Sequence, residues 1–111
     1  MKFGIALIEG RLSFSYFSEF SSMDKLVKSG NGYLCVFEET FLSGMLRKRV
    51  LDLPMFTPGR NVAYVLSEAD HEKASQLFEK MIYEQHSSYP YKFDLIRTYL
   101  TQMLHLVMKM G

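Results

Sequence analysis

The sequence predicts an α+β fold, a β-rich region over residues 1–66 followed by a helical hairpin over residues 67–111, joined in one compact domain. Two observations predict it. Apolar residues repeat with period two near the start of the chain, and with helical spacing after residue 67. Turn and breaker residues (Gly30-Asn31-Gly32, Pro54, Pro58) interrupt the first part repeatedly.

Phe3, Ile5 and Leu7 alternate with Gly4, Ala6 and Ile8, and Leu12, Phe14 and Tyr16 alternate with Ser13 and Ser15. That is the pattern of two half-buried strands, and Glu9-Gly10 between them predicts a hairpin, although Glu-Gly is a weaker turn pair than Asn-Gly. Residues 17–29 read as a long loop. Tyr33-Leu34-Cys35-Val36-Phe37 is a short continuous apolar run, which predicts a strand buried on both faces. Residues 38–44 read as a single helical turn. Residues 47–59 read as irregular, because Pro54 and Pro58 interrupt regular structure. Val62 to Leu66 is the last predicted strand.

Ser67-Glu68-Ala69-Asp70 places an N-cap serine three residues ahead of an acidic side chain, the signature of a helix start. Ala74, Leu77, Phe78, Met81 and Ile82 then make one apolar stripe. Ser87-Ser88-Tyr89-Pro90 ends that helix, and a second is predicted from Tyr91 to Met110. On a wheel of about 100° per residue, the apolar positions of this last helix cover roughly 220°, about twice what one core-facing stripe needs. Leu100, Met103 and Val107 continue from Ile96 as the stripe expected to pack on the sheet and on Leu77, Phe78 and Met81. Two faces of this helix could meet a partner, Leu95-Tyr99-Leu106 at one edge and Leu100-Leu104-Val107 nearer the other; the first edge, Leu95, Tyr99, Gln102, Leu106 and Met110, is favoured as the dimer interface.

Composition excludes several classes. The chain has 111 residues, 48% of them hydrophobic, and a net charge of +1. The β-rich part contributes +2 and the helical part −1, so neither carries the strongly basic footprint of a nucleic-acid binder. The uncharged run from Thr98 to Met108 is too short for a bilayer, which needs about 20 residues, so no membrane contact is expected. The N-terminus lacks a signal-peptide pattern, and a single cysteine, Cys35, cannot form an internal disulfide; both point to the cytoplasm.

No enzyme is expected. His71, His86 and His105 have no ligand spacing and no second cysteine completes a zinc site, so neither metal nor cofactor is predicted. Cys35 sits in an apolar strand with no basic neighbour, as an inert thiol does. Glu38-Glu39 would point to opposite faces of a strand, and Arg47-Lys48-Arg49 reads as a solvated loop. No nucleophile elbow or phosphate-binding glycine loop occurs. Aromatic residues offer a lining for a small-molecule effector: Phe14, Tyr16, Phe17 and Phe20 from the first half, and Tyr89-Pro90-Tyr91 between the helices.

The segment Gly32-Tyr33-Leu34-Cys35-Val36-Phe37, followed by Glu38-Glu39-Thr40-Phe41-Leu42, resembles the Gly-Tyr-…-Phe-…-Phe-Leu stretch that closes the cupin-like barrel of AraC-type transcription regulators. Leu53-Pro54-Met55-Phe56, the strand Val62 to Leu66, the helix around Leu77-Phe78-Glu79-Lys80-Met81, and Tyr91-Lys92-Phe93-Asp94-Leu95-Ile96-Arg97-Thr98-Tyr99-Leu100 follow in the similar order, so the resemblance spans residues 32–110. It implies a small, incomplete cupin-like β-barrel or sheet carrying two antiparallel dimerisation helices. It also implies an effector-sensing role with Phe14, Tyr16, Tyr33 and Cys35 as pocket candidates, and a homodimer as the working state. The family's helix-turn-helix units have no counterpart in these 111 residues, so DNA is expected to be reached only through a C-terminal domain missing from this chain. The cupin metal-binding histidine motif is also missing, which argues against dioxygenase-like chemistry. The alternative is a small stand-alone protein-interaction module unrelated to transcription.

Overall fold

A computed structural model describes residues 2–16, 32–49, 52–56 and 62–110. The chain divides into two compact units, Met1–Ser67 and Glu68–Gly111. Within the first unit are strands β1 (Lys2–Ile8), β2 (Arg11–Tyr16) and β3 (Gly32–Glu38), helix α1 (Gly44–Lys48) and strand β4 (Val62–Val65). The second unit holds helices α2 (Glu68–Gln85) and α3 (Lys92–Met110). The fold is α+β, a four-stranded antiparallel open sheet followed by two helices. The expected loop at 17–29, with Phe17 and Phe20, lies outside the described residues.

The strand order is β3-β1-β2-β4, with every neighbouring pair antiparallel. β1 and β2 form the expected hairpin, and Ile8 pairs with Arg11 across a two-residue turn. Glu9 (φ 50°) and Gly10 (φ 75°) both have positive φ, as the turn that matches strand twist requires. The Leu66 amide donates to the Gly10 carbonyl at 3.0 Å, tying the end of β4 to this turn.

Residues directly opposite each other share a face. The register therefore puts Phe3, Ile5 and Leu7 of β1 on one face with Phe14 and Leu12 of β2, Phe37, Cys35 and Tyr33 of β3, and Tyr64 of β4. Phe56, from a 3₁₀ turn at Pro54–Phe56, caps this face. Its ring centroid lies 4.8 Å from that of Phe3, 5.4 Å from Phe14 and 6.1 Å from Phe37, within the range of favourable aromatic pairs. Met55 and Phe56 are 0% exposed, which the irregular reading of residues 47–59 did not foresee. Two short helical pieces, a 3₁₀ turn at Glu39–Phe41 and α1, also interrupt the stretch from 38 to 59.

The expectation that residues 33–37 are buried on both faces is corrected. Tyr33, Leu34 and Cys35 are half-buried and Val36 is 48% exposed, while only Phe37 is buried. The reason is position: β3 pairs with β1 on one side and is an edge strand among the described residues, whereas β1 in the middle buries Phe3, Gly4, Ile5, Ala6 and Leu7 in succession.

In the second unit, α2 starts directly after Ser67, and its buried positions, Ala74, Leu77, Phe78 and Met81, form the expected stripe. Ile82, expected within that stripe, is exposed at its margin. The helix ends ahead of Pro90, with its last carbonyls satisfied locally. Ser87 Oγ donates to the Glu84 carbonyl at 2.9 Å, and Lys92 Nζ donates to the carbonyls of Gln85 (3.2 Å) and Ser87 (3.1 Å). A cation at a helix C-terminus also complements the helix dipole. α3 buries Leu100, Met103, Leu104 and Val107.

Candidate functional site

The residues singled out for effector binding are drawn together only in part. Phe14, Tyr33 and Cys35 lie on one sheet face by register, and the Tyr16 backbone pairs opposite Phe3 on the same two strands. Phe14 is 0% exposed, and its ring contacts Phe56 and, at 5.8 Å, Tyr64. It belongs to a packed aromatic cluster. Cys35 is free and half-buried, and burial pushes its thiol pKa up to about 11, so it is protonated and unreactive at neutral pH.

Histidines 71, 86 and 105 are all exposed, as is the run Arg47-Lys48-Arg49. Among the described residues no group of three His, Cys, Asp or Glu side chains could hold a metal ion. Among them, too, no helix is long and apolar enough to cross a membrane.

A groove with room for a partner lies between α2 and α3. The helices run antiparallel, since residues 70–73 of α2 lie beside 105–110 of α3, and Lys80 and Tyr83 lie beside Tyr99. An open groove of about 860 Å³ separates them at the α3 C-terminal end. Leu77, Leu106 and Met110 provide its apolar surface, and Gln76 and Gln102 add amides. Towards the other end, Tyr99 is flanked by Gln76, Lys80 and Tyr83, with Lys80 Nζ 5.6 Å from its ring centroid. That distance allows a cation–π contact.

No protein-family model, curated protein or solved structure matches this chain.

Four of the five residues expected at a dimer interface, Tyr99, Gln102, Leu106 and Met110, line the groove or its continuation. Leu95, Tyr99 and Leu106 are half-buried, Gln102 is exposed, and Met110 is 40% exposed. The wide apolar arc of α3 is thus divided: one stripe is buried, and the other runs along the side facing α2. Placing Tyr99 and Leu106 beside α2 required knowing how the helices are rotated, which the apolar pattern of α3 alone leaves open.

Sequence reasoning missed the charged rim of the groove. Lys73 and Lys80, two helical turns apart on α2, and Lys109 on α3 line it. The signal was present as the seven-residue spacing of the two α2 lysines, which puts them on one side of the helix. Tyr89 and Tyr91, expected as a pocket lining, are exposed near the turn between the helices, and sequence reasoning missed that Tyr83 (72% exposed) and Phe93 are exposed with them.

Proposed function

We propose that the chain is a regulatory and dimerisation domain of the AraC-like type, acting in the cytoplasm, in which a second copy seats on the groove between α2 and α3. DNA would be contacted through a domain outside these 111 residues, and a small-molecule effector would act on the β-rich unit. The observation that carries this reading is the line Tyr99, Leu106 and Met110. Large apolar side chains remain partly in water along a groove that already separates two helices. Completing the burial of one such side chain is worth on the order of 1 kcal/mol, and a two-fold contact uses each residue twice. The order of elements, a small sheet followed by an antiparallel helix pair, supports the AraC-like assignment.

Leu106→Glu and Tyr99→Glu test it. Each should give a folded monomer by sedimentation with unchanged far-UV circular dichroism, whereas wild type sediments as a dimer at tens of micromolar. A monomeric wild type at that concentration refutes the reading.

A second reading, a stand-alone interaction module, is favoured by the exposed aromatic residues near the turn between the helices. Sequencing the reading frame beyond Gly111 separates the two: a downstream pair of helix-turn-helix units decides for the regulator.

A further inference from the structure

Which backbone groups of β3 face the open side of the sheet follows from the β1–β2 hairpin. Ile8 and Arg11 close a two-residue turn, and the closing pair of such a hairpin exchanges both backbone hydrogen bonds. Bonded and non-bonded pairs then alternate along an antiparallel ladder. Ile8, Ala6 and Gly4 therefore bond to β2, while Leu7, Ile5 and Phe3 bond across to Tyr33, Cys35 and Phe37 of β3. The Leu66 amide on the Gly10 carbonyl obeys the same alternation on the β4 side. Leu34 and Val36 are left with N–H and C=O directed away from β1, and among the described residues no strand pairs with them there. Val36 is also 48% exposed.

Sheet edges are ordinarily guarded by a lysine, a proline or a bulge. Gly32–Glu38 contains neither residue, and its register with β1 runs unbroken from Lys2↔Glu38 to Ile8↔Gly32. The strand is also chemically symmetric about Cys35, with an aliphatic residue on each side (Leu34, Val36) and then an aromatic one (Tyr33, Phe37). Rotating a second copy by half a turn about an axis through Cys35 and normal to the sheet sets Leu34 of one copy against Val36 of the other, and Tyr33 against Phe37. This register alone pairs the whole strand, and it continues the aromatic face from one copy to the next. Glu38, the only charged residue of β3, meets Gly32 and not a second Glu38. Apolar cross-strand pairs stabilise a ladder, and like charges directly opposite weaken it. The other edge, β4 (Val62–Val65), is shorter and offers less to pair. We infer that the β3 edge is a self-association surface, distinct from the helix groove, at which two copies pair antiparallel about Cys35 and join their sheets into one.

One strand pair is a small contact beside the roughly 1,200 Å² of stable interfaces, so it is expected to form on the order of hundreds of micromolar, above the range of the groove dimer. Leu106→Glu, which removes the groove contact, isolates it. Sedimentation equilibrium of that variant up to about 1 mM should show a mass rising from one chain towards two. Adding Val36→Lys, an edge lysine, should weaken this step by about tenfold or more with far-UV circular dichroism unchanged. Amide exchange followed by NMR locates the contact without a further substitution. The Leu34 and Val36 amides should gain protection as concentration rises, whereas those of Tyr33, Cys35 and Phe37, bonded to β1, are protected throughout. A Leu106→Glu chain that stays monomeric at 1 mM, as it would if the edge served a strand of another protein, overturns the inference. So does association that survives Val36→Lys, or exchange at Leu34 and Val36 that ignores concentration. None of these results touches the groove dimer. A wild type that is monomeric at tens of micromolar yet pairs through β3 at 1 mM refutes the groove and upholds the edge.

Discussion

Phe56→Ala probes the packing that holds the β-rich unit together. Phe56 has no exposed surface, and its ring meets those of Phe3, Phe14 and Phe37 at centroid distances of 4.8, 5.4 and 6.1 Å. Those three rings come from β1, β2 and β3, so one side chain connects three strands of the sheet. Truncating a fully buried phenylalanine to alanine costs about 3–5 kcal/mol through lost transfer energy and the cavity left behind. Small domains are stable by only about 5–15 kcal/mol, so the loss is a large part of the total. At about 4 °C or more per kcal/mol, the melting temperature should fall by roughly 15 °C. Urea unfolding followed by far-UV circular dichroism measures the free-energy loss, with the denaturant slope unchanged if only stability is altered. Phe93→Ala is the comparison, because Phe93 is 57% exposed and its truncation should stay within about 0.5 kcal/mol. A cost below about 1 kcal/mol for Phe56→Ala would show that the turn at Pro54–Phe56 does not pack against the sheet.

Three further outcomes are expected. Gly32→Ala should destabilise the sheet by about 1–3 kcal/mol, because a Cβ there would lie 2.9 Å from the Leu7 carbonyl oxygen, a backbone atom with little freedom to yield; a neutral effect in thermal melts contradicts the close approach of β3 to β1. Glu9→Asn should stabilise by up to about 1 kcal/mol, since Glu9 holds φ 50°, a conformation asparagine tolerates better; thermal melts showing a loss count against the hairpin turn. The Cys35 thiol, raised by burial from 9.0 to about 11, should react with a disulfide reagent at pH 8 far more slowly than the unfolded chain does. The folded pKa lies above the unfolded one, so this group's contribution to stability is complete below pH 9 and is lost as pH rises through 11. Equal reaction rates in the folded and unfolded chain contradict that burial.

Much of the fold was legible because its signals are local. The period-two pattern of Phe3, Ile5, Leu7, Leu12 and Phe14 marked the hairpin, and the stripe of Ala74, Leu77, Phe78 and Met81 with Pro90 beyond it marked α2. What failed depends on neighbours distant in sequence. Tyr33 to Phe37 is a continuous apolar run, yet strand order makes β3 an edge, and no property of those five residues encodes strand order. Met55 and Phe56 follow a proline and carry no periodicity, so their burial follows from the aromatic face that receives them. For the candidate site, the apolar line on α3 was readable from its spacing. Its setting beside Lys73 and Lys80 was not, because that depends on how α2 and α3 are rotated about their axes.

The central claim is that a second copy occupies the groove between α2 and α3. Sedimentation velocity of wild type beside Leu106→Glu, both at tens of micromolar, tests it most directly. The prediction is a wild-type species of twice the 12.9 kDa chain mass and a folded Leu106→Glu species of one chain mass. A wild type at one chain mass, or a Leu106→Glu variant that still sediments as a dimer, would contradict it.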